Sequence, residues 1–304
     1  MSGPARVVIV PGNHDGVHVG HRALIARARE VAHEGAAAGR VVALTFDPHP
    51  LAVLAPDRAP VPLTTIARRT ELLLEAGADD VAVARFSPEY AKQTADGWVE
   101  SELVERLGAT HVVVGVDFRF GAGRIGDLSR LAELGERLGF EVRPVELIAR
   151  ADERVSSTRI RGALRDGDVR DAAAQLGRVH DVEGTVVHGF ERGRTIGFPT
   201  ANLDSDAVLL PRDGVYAVVA QVAGRALGGV ANLGTRPTFA AGRSVEVHLF
   251  DFEGDLYGQR LRVGFVERLR DEQKFDSIEA LVAQIRRDAE AARALFAREG
   301  LPWR

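Results

Sequence analysis

His18 and His21 lie in a glycine-rich segment, Gly-Asn-His-Asp-Gly-Val-His-Val-Gly-His, at residues 12–21. The two histidines are three positions apart, and Gly20 stands between them. Imidazoles at this spacing can donate hydrogen bonds to the negative charge that grows on a phosphate during group transfer. Glycines such as Gly12 and Gly20 let backbone amides approach a phosphate closely. The residues alone also allow a tight turn that carries incidental surface histidines.

A second candidate phosphate site contains Ser157, Thr158 and Arg161. The two hydroxyl residues precede a helical pattern, where side-chain hydroxyls and backbone amides are available at a helix start. Arg161 can bind phosphate oxygens with two parallel hydrogen bonds. For Ser157 considered by itself, simple capping of the helix is the better interpretation.

Glycines recur every fourth residue in the second half of the chain, at Gly189, Gly193 and Gly197. This spacing suggests a loop that packs against a nucleotide, although a glycine-rich β-turn would look the same. Thr200 and Asn202 follow, and their hydroxyl and amide oxygens are hard ligands suited to Mg²⁺.

Glu246 lies in the alternating segment Ser-Val-Glu-Val-His-Leu at residues 244–249. Such alternation predicts a half-exposed strand in which Glu246 and His248 share one face. A carboxylate beside a phosphate donor can accept the proton of a neutral alcohol that attacks the phosphorus. The alternative is an ordinary glutamate that faces solvent.

The elements that must position these residues differ between the two halves of the chain. In the first half, short apolar runs alternate with helical patterns, which predicts an α/β, Rossmann-like domain with a parallel sheet covered on both faces. The predicted strands contain residues 7–10, 41–46, 81–84, 112–114 and 142–145, and the helical patterns follow His21 and cover residues 66–74, 99–107 and 128–138. Ligands of such sheets bind beyond the carboxyl ends of the strands.

The second half contains β-rich runs without intervening helices, which predicts a small antiparallel β-barrel. These runs are residues 182–187, 215–222, 226–233, 245–252 and 261–266. A terminal helix is predicted from Asp276, whose spacing to Glu279 resembles a capping box. Its apolar stripe, from Ile278 to Phe296, predicts packing against the core.

Length and composition limit the function classes. A chain of 304 residues suggests two domains, and we place the boundary between residues 178 and 179, giving domains 1–178 and 179–304. A formal net charge of −4 disfavours nucleic acid as a partner, because a phosphate backbone requires clustered positive charge. The absence of cysteine excludes disulfides and cysteine-bound metals. No signal-peptide or membrane-spanning pattern is found, so we expect a cytoplasmic protein without a membrane partner.

The sequence resembles the HxGH nucleotidyltransferases and, over nearly its whole length, the prokaryotic bifunctional riboflavin kinase/FAD synthetase family. The resemblance covers seven segments in order, at residues 12–21, 45–50, 115–127, 155–161, 189–203, 232–238 and 269–272. The segment Gly-Phe-Pro-Thr-Ala-Asn at residues 197–202 is the most specific of them. The resemblance implies a two-site enzyme that phosphorylates riboflavin to FMN and then adenylylates FMN to FAD.

For the N-terminal domain, the resemblance implies attack of the FMN phosphate on the α-phosphorus of ATP, with release of pyrophosphate. His18 and His21 would contact the ATP phosphates, with Asn13 beside them. The remaining residues are implied in two groups: Ser157, Thr158 and Arg161 over the triphosphate, and Asp117 and Arg119 in the nucleotide and flavin region. Asp47 and His49 resemble family positions near the same site. Mg²⁺ would bridge the phosphates.

For the C-terminal domain, the resemblance implies a riboflavin kinase barrel that converts ATP to ADP. Glycines Gly189, Gly193 and Gly197 would lie at the nucleotide. Thr200 and Asn202 would hold Mg²⁺, Glu246 would act as the general base, and Arg270 would contact flavin or phosphate.

Two departures from the family leave alternatives open. The family usually has phenylalanine where this chain has His14, and often proline-tyrosine where it has Val179 and His180. A titratable ring at position 14 motivates a first alternative, a monofunctional riboflavin kinase with a weakened N-terminal site. A second alternative is a flavin-carrying protein without catalysis, and a third is a cytidylyl- or pantetheine-type transferase. The sequence leaves open whether the chain forms a homo-oligomer.

Overall fold

The computed structural model describes residues 6–34, 38–146, 149–150, 153–188, 197–235 and 243–300. By its internal contacts the chain divides into two compact units, Met1–Ser157 and Thr158–Arg304. The predicted domain boundary at residues 178 and 179 stays a prediction.

The first unit is built on a five-stranded, all-parallel sheet with the strand order β3-β2-β1-β4-β5. Its strands are β1 (Val7–Pro11), β2 (Arg40–Asp47), β3 (Asp80–Arg85), β4 (His111–Gly115) and β5 (Glu141–Val145). The strand order reverses between β1 and β4, so the crevice at their carboxyl ends is the expected ligand site. The predicted α/β fold and its five strands are confirmed.

Helices cover both faces of this sheet. They are α1 (Val19–His33), α2 (Pro50–Leu54), α3 (Ile66–Glu75), α4 (Ala95–Trp98), which continues as a π-helical segment (Val99–Arg106), and α5 (Leu128–Leu138). One face packs Ile25, Ala28 and Val31 of α1 against β1 and β2. The other packs Trp98 and Leu131 against the opposite side of the same strands. A short antiparallel pair of strands, β6 (Ala149–Arg150) and β7 (Glu153–Arg154), follows.

The second unit contains a closed six-stranded barrel in the order β10-β11-β12-β9-β8-β13. Its strands are β8 (His180–Val187), β9 (Ala201–Ser205), β10 (Gly214–Val222), β11 (Arg225–Thr235), β12 (Arg243–Leu249) and β13 (Arg260–Arg270), all paired antiparallel. The predicted barrel is confirmed, and β9 is a strand that the sequence did not predict. Helices α6 (Ser157–Asp166) and α7 (Val169–Leu176) precede the barrel.

The terminal helix α8 (Ile278–Glu299) packs on the outer face of the barrel. The capping residue was predicted to be Asp276, and this was wrong. Ser277 is the N-cap, because its Oγ accepts a hydrogen bond from the Ala280 N–H at 3.1 Å. The packing of the predicted stripe is confirmed at Phe296, which is fully buried, whereas Ile278 is 63% exposed.

Candidate active sites

His18 is the N-cap of α1, immediately after the loop that follows β1. Its Nδ1 accepts a hydrogen bond from the His21 backbone N–H at 3.3 Å. An acceptor nitrogen carries no proton, so the neutral His18 ring holds its hydrogen on Nε2. The sequence of the loop therefore places a hydrogen-bond donor at the start of a helix, where the helix dipole already favours an anion.

His14, His18 and His21 form one cluster of rings. The His18 and His21 rings stack with centroids 3.7 Å apart, and the His14 ring meets His21 edge-on at 5.0 Å. A Cβ atom on Gly12 would lie 2.9 Å from the His14 ring, and one on Gly20 would lie 3.0 Å from the His18 ring. A side chain at position 12 would therefore collide with the His14 ring, and one at position 20 would require the His18 ring to shift.

Burial controls the protonation of this cluster. It lowers the pKa of His14 and of His18 to about 4, and it lowers that of His21 well below 6.5. Neighbouring positive charge lowers these pKa values further. Arg69 acts on His14 and His21, and Arg154 acts on His18. The rings are consequently neutral hydrogen-bonding groups in the ligand-free protein.

A buried ionic network holds the histidine loop in place. The Asp15 carboxylate accepts hydrogen bonds from the Leu63 and Thr64 N–H groups and pairs with Arg69, the two charged groups lying 3.3 Å apart. Both side chains are at most 5% exposed. The Ser157 Oγ donates to the Asp15 carbonyl at 2.8 Å. Sequence reasoning missed Asp15 and Arg69, because a pair 54 residues apart has no local signal.

The other predicted N-terminal residues lie at neighbouring strand ends. Asp117 and Arg119 follow β4, and Asp117 forms an ion pair with Arg154 at 2.5 Å. Arg119 lies 3.6 Å from Asp127, the N-cap of α5. After β2, the His49 Nε2 lies 3.4 Å from the Asn13 Nδ2. The carboxyl ends of β1, β2 and β4 thus bring these residues to one edge of the sheet.

Thr158 and Arg161 lie in the first turns of α6, which begins at Ser157. The Thr158 side chain is exposed, and Arg161 is buried with 5% exposure.

In the barrel, three polar residues stand side by side on adjacent strands. Glu246 on β12 is the direct register partner of Asn202 on β9 and of Asn232 on β11. Directly opposed residues of antiparallel strands share a face with their Cβ atoms about 5 Å apart. Inward-facing neighbours Val245 and Val247 are buried, so Glu246 lies on the outer face. The arrangement places a carboxylate next to amide oxygens.

The segment before β9 is tied to the same face. The His248 Nδ1 donates to the Pro199 carbonyl at 2.8 Å, and the Phe198 ring meets the His248 ring edge-on at 5.3 Å. These contacts bring Thr200, the residue after Pro199, to the strand that carries Glu246. Gly197 precedes them with a φ of +83°, a left-handed conformation that favours glycine.

Arg270, at the end of β13, is held by Asp288 on α8. Its Nε and Nη2 donate to the Asp288 carboxylate at 2.8–3.0 Å. The Asn232 Nδ2 donates to Glu272 at 3.4 Å. Both residues lie in segments of the family resemblance, but neither was assigned a role from the sequence. Gly189 and Gly193 lie outside the described residues, so their predicted role has no structural counterpart here.

Comparison with known proteins assigns both halves of the chain. The model of the FAD synthetase family matches residues 2–159, and that of the riboflavin kinase family matches residues 176–296. The bifunctional riboflavin kinase/FMN adenylyltransferase of Escherichia coli (strain K12) is 43% identical over 95% of this chain and 92% of its own. The protein of the same name from Bacillus subtilis (strain 168) is 36% identical over 96% of this chain and 93% of its own.

A solved structure is similar to nearly the full length of the chain. A Streptococcus pneumoniae protein, titled a macrolide-efflux protein, superposes with a TM-score of 0.87 at 33% identity, over 96% of this chain and 95% of its own.

Within the described residues, no helix combines the length and the apolar character that crossing a bilayer requires.

Proposed function

The chain belongs to the bifunctional riboflavin kinase/FMN adenylyltransferase family, and we propose that its barrel phosphorylates riboflavin to FMN while its parallel-sheet unit adenylylates FMN to FAD. ATP is the co-substrate of both reactions, and they release ADP and pyrophosphate respectively. The observation that carries the division of labour is the presence of two separate sets of polar residues: the Asn202, Glu246 and Asn232 row on the barrel, and the histidine cluster after β1. The monofunctional alternative is not favoured, because both family models match.

In the kinase reaction, Glu246 accepts the proton of the riboflavin 5′-hydroxyl as that oxygen attacks the γ-phosphorus and ADP leaves. Its outward position on the barrel and its two amide neighbours support this role. A flavin carrier without catalysis would not need a carboxylate opposed to amide groups at this place.

The barrel face fits Mg²⁺ bound with substrate. Among the described residues no group of three or more histidine, cysteine or acidic side chains forms a metal cage. Mg²⁺ instead is usually held by one or two protein oxygens together with substrate phosphates. The Asn202 amide oxygen, opposite Glu246, and the Thr200 hydroxyl supply such oxygens. Bound there, Mg²⁺ would neutralise charge on the phosphates.

In the adenylyltransferase reaction, an FMN phosphate oxygen attacks the α-phosphorus of ATP and pyrophosphate leaves. The His18 Nε2–H and His21 donate to the charge that develops. We assign the remaining predicted residues to binding: Gly12, Asn13, Gly20, Ser157, Thr158 and Arg161 to the ATP phosphates, and Asp117 and Arg119 to the flavin. A cytoplasmic location stays a prediction, and the oligomeric state stays open.

The two site assignments can be tested separately with riboflavin, ATP and Mg²⁺, resolving the flavins by chromatography over time. Wild-type protein should form FMN and then FAD. Glu246→Ala should form no FMN from riboflavin but should convert added FMN to FAD, whereas His21→Ala should accumulate FMN. Glu253→Ala removes an exposed carboxylate from the loop after β12 and should resemble wild type. Loss of both activities in a folded single variant would contradict the separate assignments.

A further inference from the structure

His14 is a fully buried histidine that the proposed reaction does not use. Its φ of +49° places it in the left-handed region, and its ring packs over Gly12 and edge-on to His21. Burying a polar ring is costly unless its nitrogens find partners. One nitrogen has a partner: Nε2 lies 3.0 Å from the Val10 carbonyl oxygen.

The Val10 contact fixes the tautomer of His14. A carbonyl oxygen can only accept, so Nε2 carries the hydrogen, and in the neutral ring Nδ1 carries a lone pair. Within the described residues, this Nδ1 is buried and has no hydrogen-bond partner. The Nδ1 of His21 is also buried and without a partner there. The two rings meet edge-on with their centroids 5.0 Å apart, so both Nδ1 atoms belong to one buried contact between rings.

We propose that His14 is a positioning residue for His21, accepting a hydrogen bond from the His21 Nδ1–H at its own Nδ1, directly or through one buried water. The inference rests on the proposed role of His21. The lone pair on the His14 Nδ1 favours the His21 tautomer that carries its hydrogen on Nδ1. In that tautomer the His21 Nε2 has no hydrogen, so His21 must bind a second proton there before it can donate to a phosphate. The His14 Nδ1 accepts a hydrogen bond from this His21 cation and stabilises it, as a second hydrogen-bonded group orients and stabilises a catalytic or metal-binding histidine.

The surrounding charges explain why such support is needed. Arg69 from α3 faces His14 and His21, and Arg154 from β7 faces His18. Positive charge on His14 disfavours the charged form of His18, and positive charge on either of these rings disfavours that of His21. Asp15 is the opposing negative group, and it acts on His18. Bound ATP supplies further negative charge at the start of α1. When this negative charge promotes protonation of His21, the His14 lone pair can stabilise the resulting cation.

The test is the pH dependence of FAD formation from FMN in wild type, His14→Phe and His14→Asn. Phenylalanine keeps an aromatic ring without an acceptor, and asparagine supplies an acceptor oxygen and tolerates a positive φ. We expect His14→Phe to lower kcat about tenfold or more, the effect of losing one hydrogen bond to a charged group. The KM for ATP should change little, and the alkaline limb should move to lower pH. His14→Asn should recover most of the rate.

Two results would overturn the proposal: a His14→Phe profile like that of wild type, or equal impairment of both variants through KM alone. His33→Asn, on the exposed end of α1, is the matched control. Normal FAD synthesis by His21→Ala would instead remove the proposed role of His21 itself, and the inference with it. If neither His14 variant folds, ¹⁵N NMR of wild type with bound ATP analogue decides: a protonated His21 Nδ1 supports the proposal, and an unprotonated one overturns it.

Discussion

At the scale of single residues, the buried histidines make stability depend on pH. The pKa of His14 is about 4 in the folded protein, against 6.5 for an ordinary histidine. Between these values the unfolded chain binds more protons, so the free energy of unfolding falls as the pH falls from 6.5 towards 4. We expect His14→Phe to reduce this fall, because phenylalanine has no proton to bind.

This prediction can be followed through the fluorescence of Trp98, which is 4% exposed in the core of the first unit. A Trp303→Phe background leaves Trp98 as the remaining tryptophan of the two in the chain. The unfolding midpoint of the parent should drop between pH 7 and pH 5 by more than that of His14→Phe. His33→Asn should follow the parent, and identical slopes in all three proteins would contradict the burial argument.

At the scale of elements, β13 and α8 are linked by an ion pair that is buried on the Asp288 side and partly buried on the Arg270 side. Arg270 and Asp288 have side chains 16% and 6% exposed, and Gln284 also donates to Asp288 at 2.8 Å. Removing one partner of a fully buried pair leaves an uncompensated charge, which costs about 3–5 kcal/mol, and the cost is smaller here because Arg270 is partly exposed. We expect Asp288→Ala to lower the thermal midpoint of riboflavin kinase inactivation by several degrees. Glu290→Ala, an exposed change on the same helix, should leave it within about one degree.

Sequence periodicity predicted the elements well and the contacts between distant elements poorly. Continuous apolar runs such as Val112–Val114 identify buried parallel strands by themselves, because both faces of the sheet are covered. Strand β9 was missed because Ala201–Ser205 is short and mixes polar with apolar residues. The Asp15–Arg69 pair and the burial of His14 depend on tertiary packing, which no local pattern encodes. The spacing of His18 and His21 made His18 a site candidate, and the family resemblance did so for Glu246; both roles stay predictions.

At the scale of the whole molecule, the two proposed sites share one chemical species, FMN. If FMN leaves the barrel into solution, a variant without adenylyltransferase activity can supply FMN to a variant without kinase activity. We therefore expect a mixture of Glu246→Ala and His21→Ala to convert riboflavin to FAD, although neither variant does so alone. The lag before FAD appears should shorten as the concentration of His21→Ala, the FMN producer, is raised.

The measurement is a time course of riboflavin, FMN and FAD in the mixture. The control is a mixture of Glu253→Ala and His21→Ala, in which the Glu253→Ala protein keeps both activities. FAD from the mixture shows that FMN made on one chain reaches the adenylyltransferase site of another, because each working site is then on a different chain. A separate assay gives the concentration of added FMN that Glu246→Ala converts to FAD. If FMN in the mixture reaches that concentration and no FAD forms, transfer through free FMN is contradicted. The adenylyltransferase site would then have to receive FMN from the barrel within one assembly.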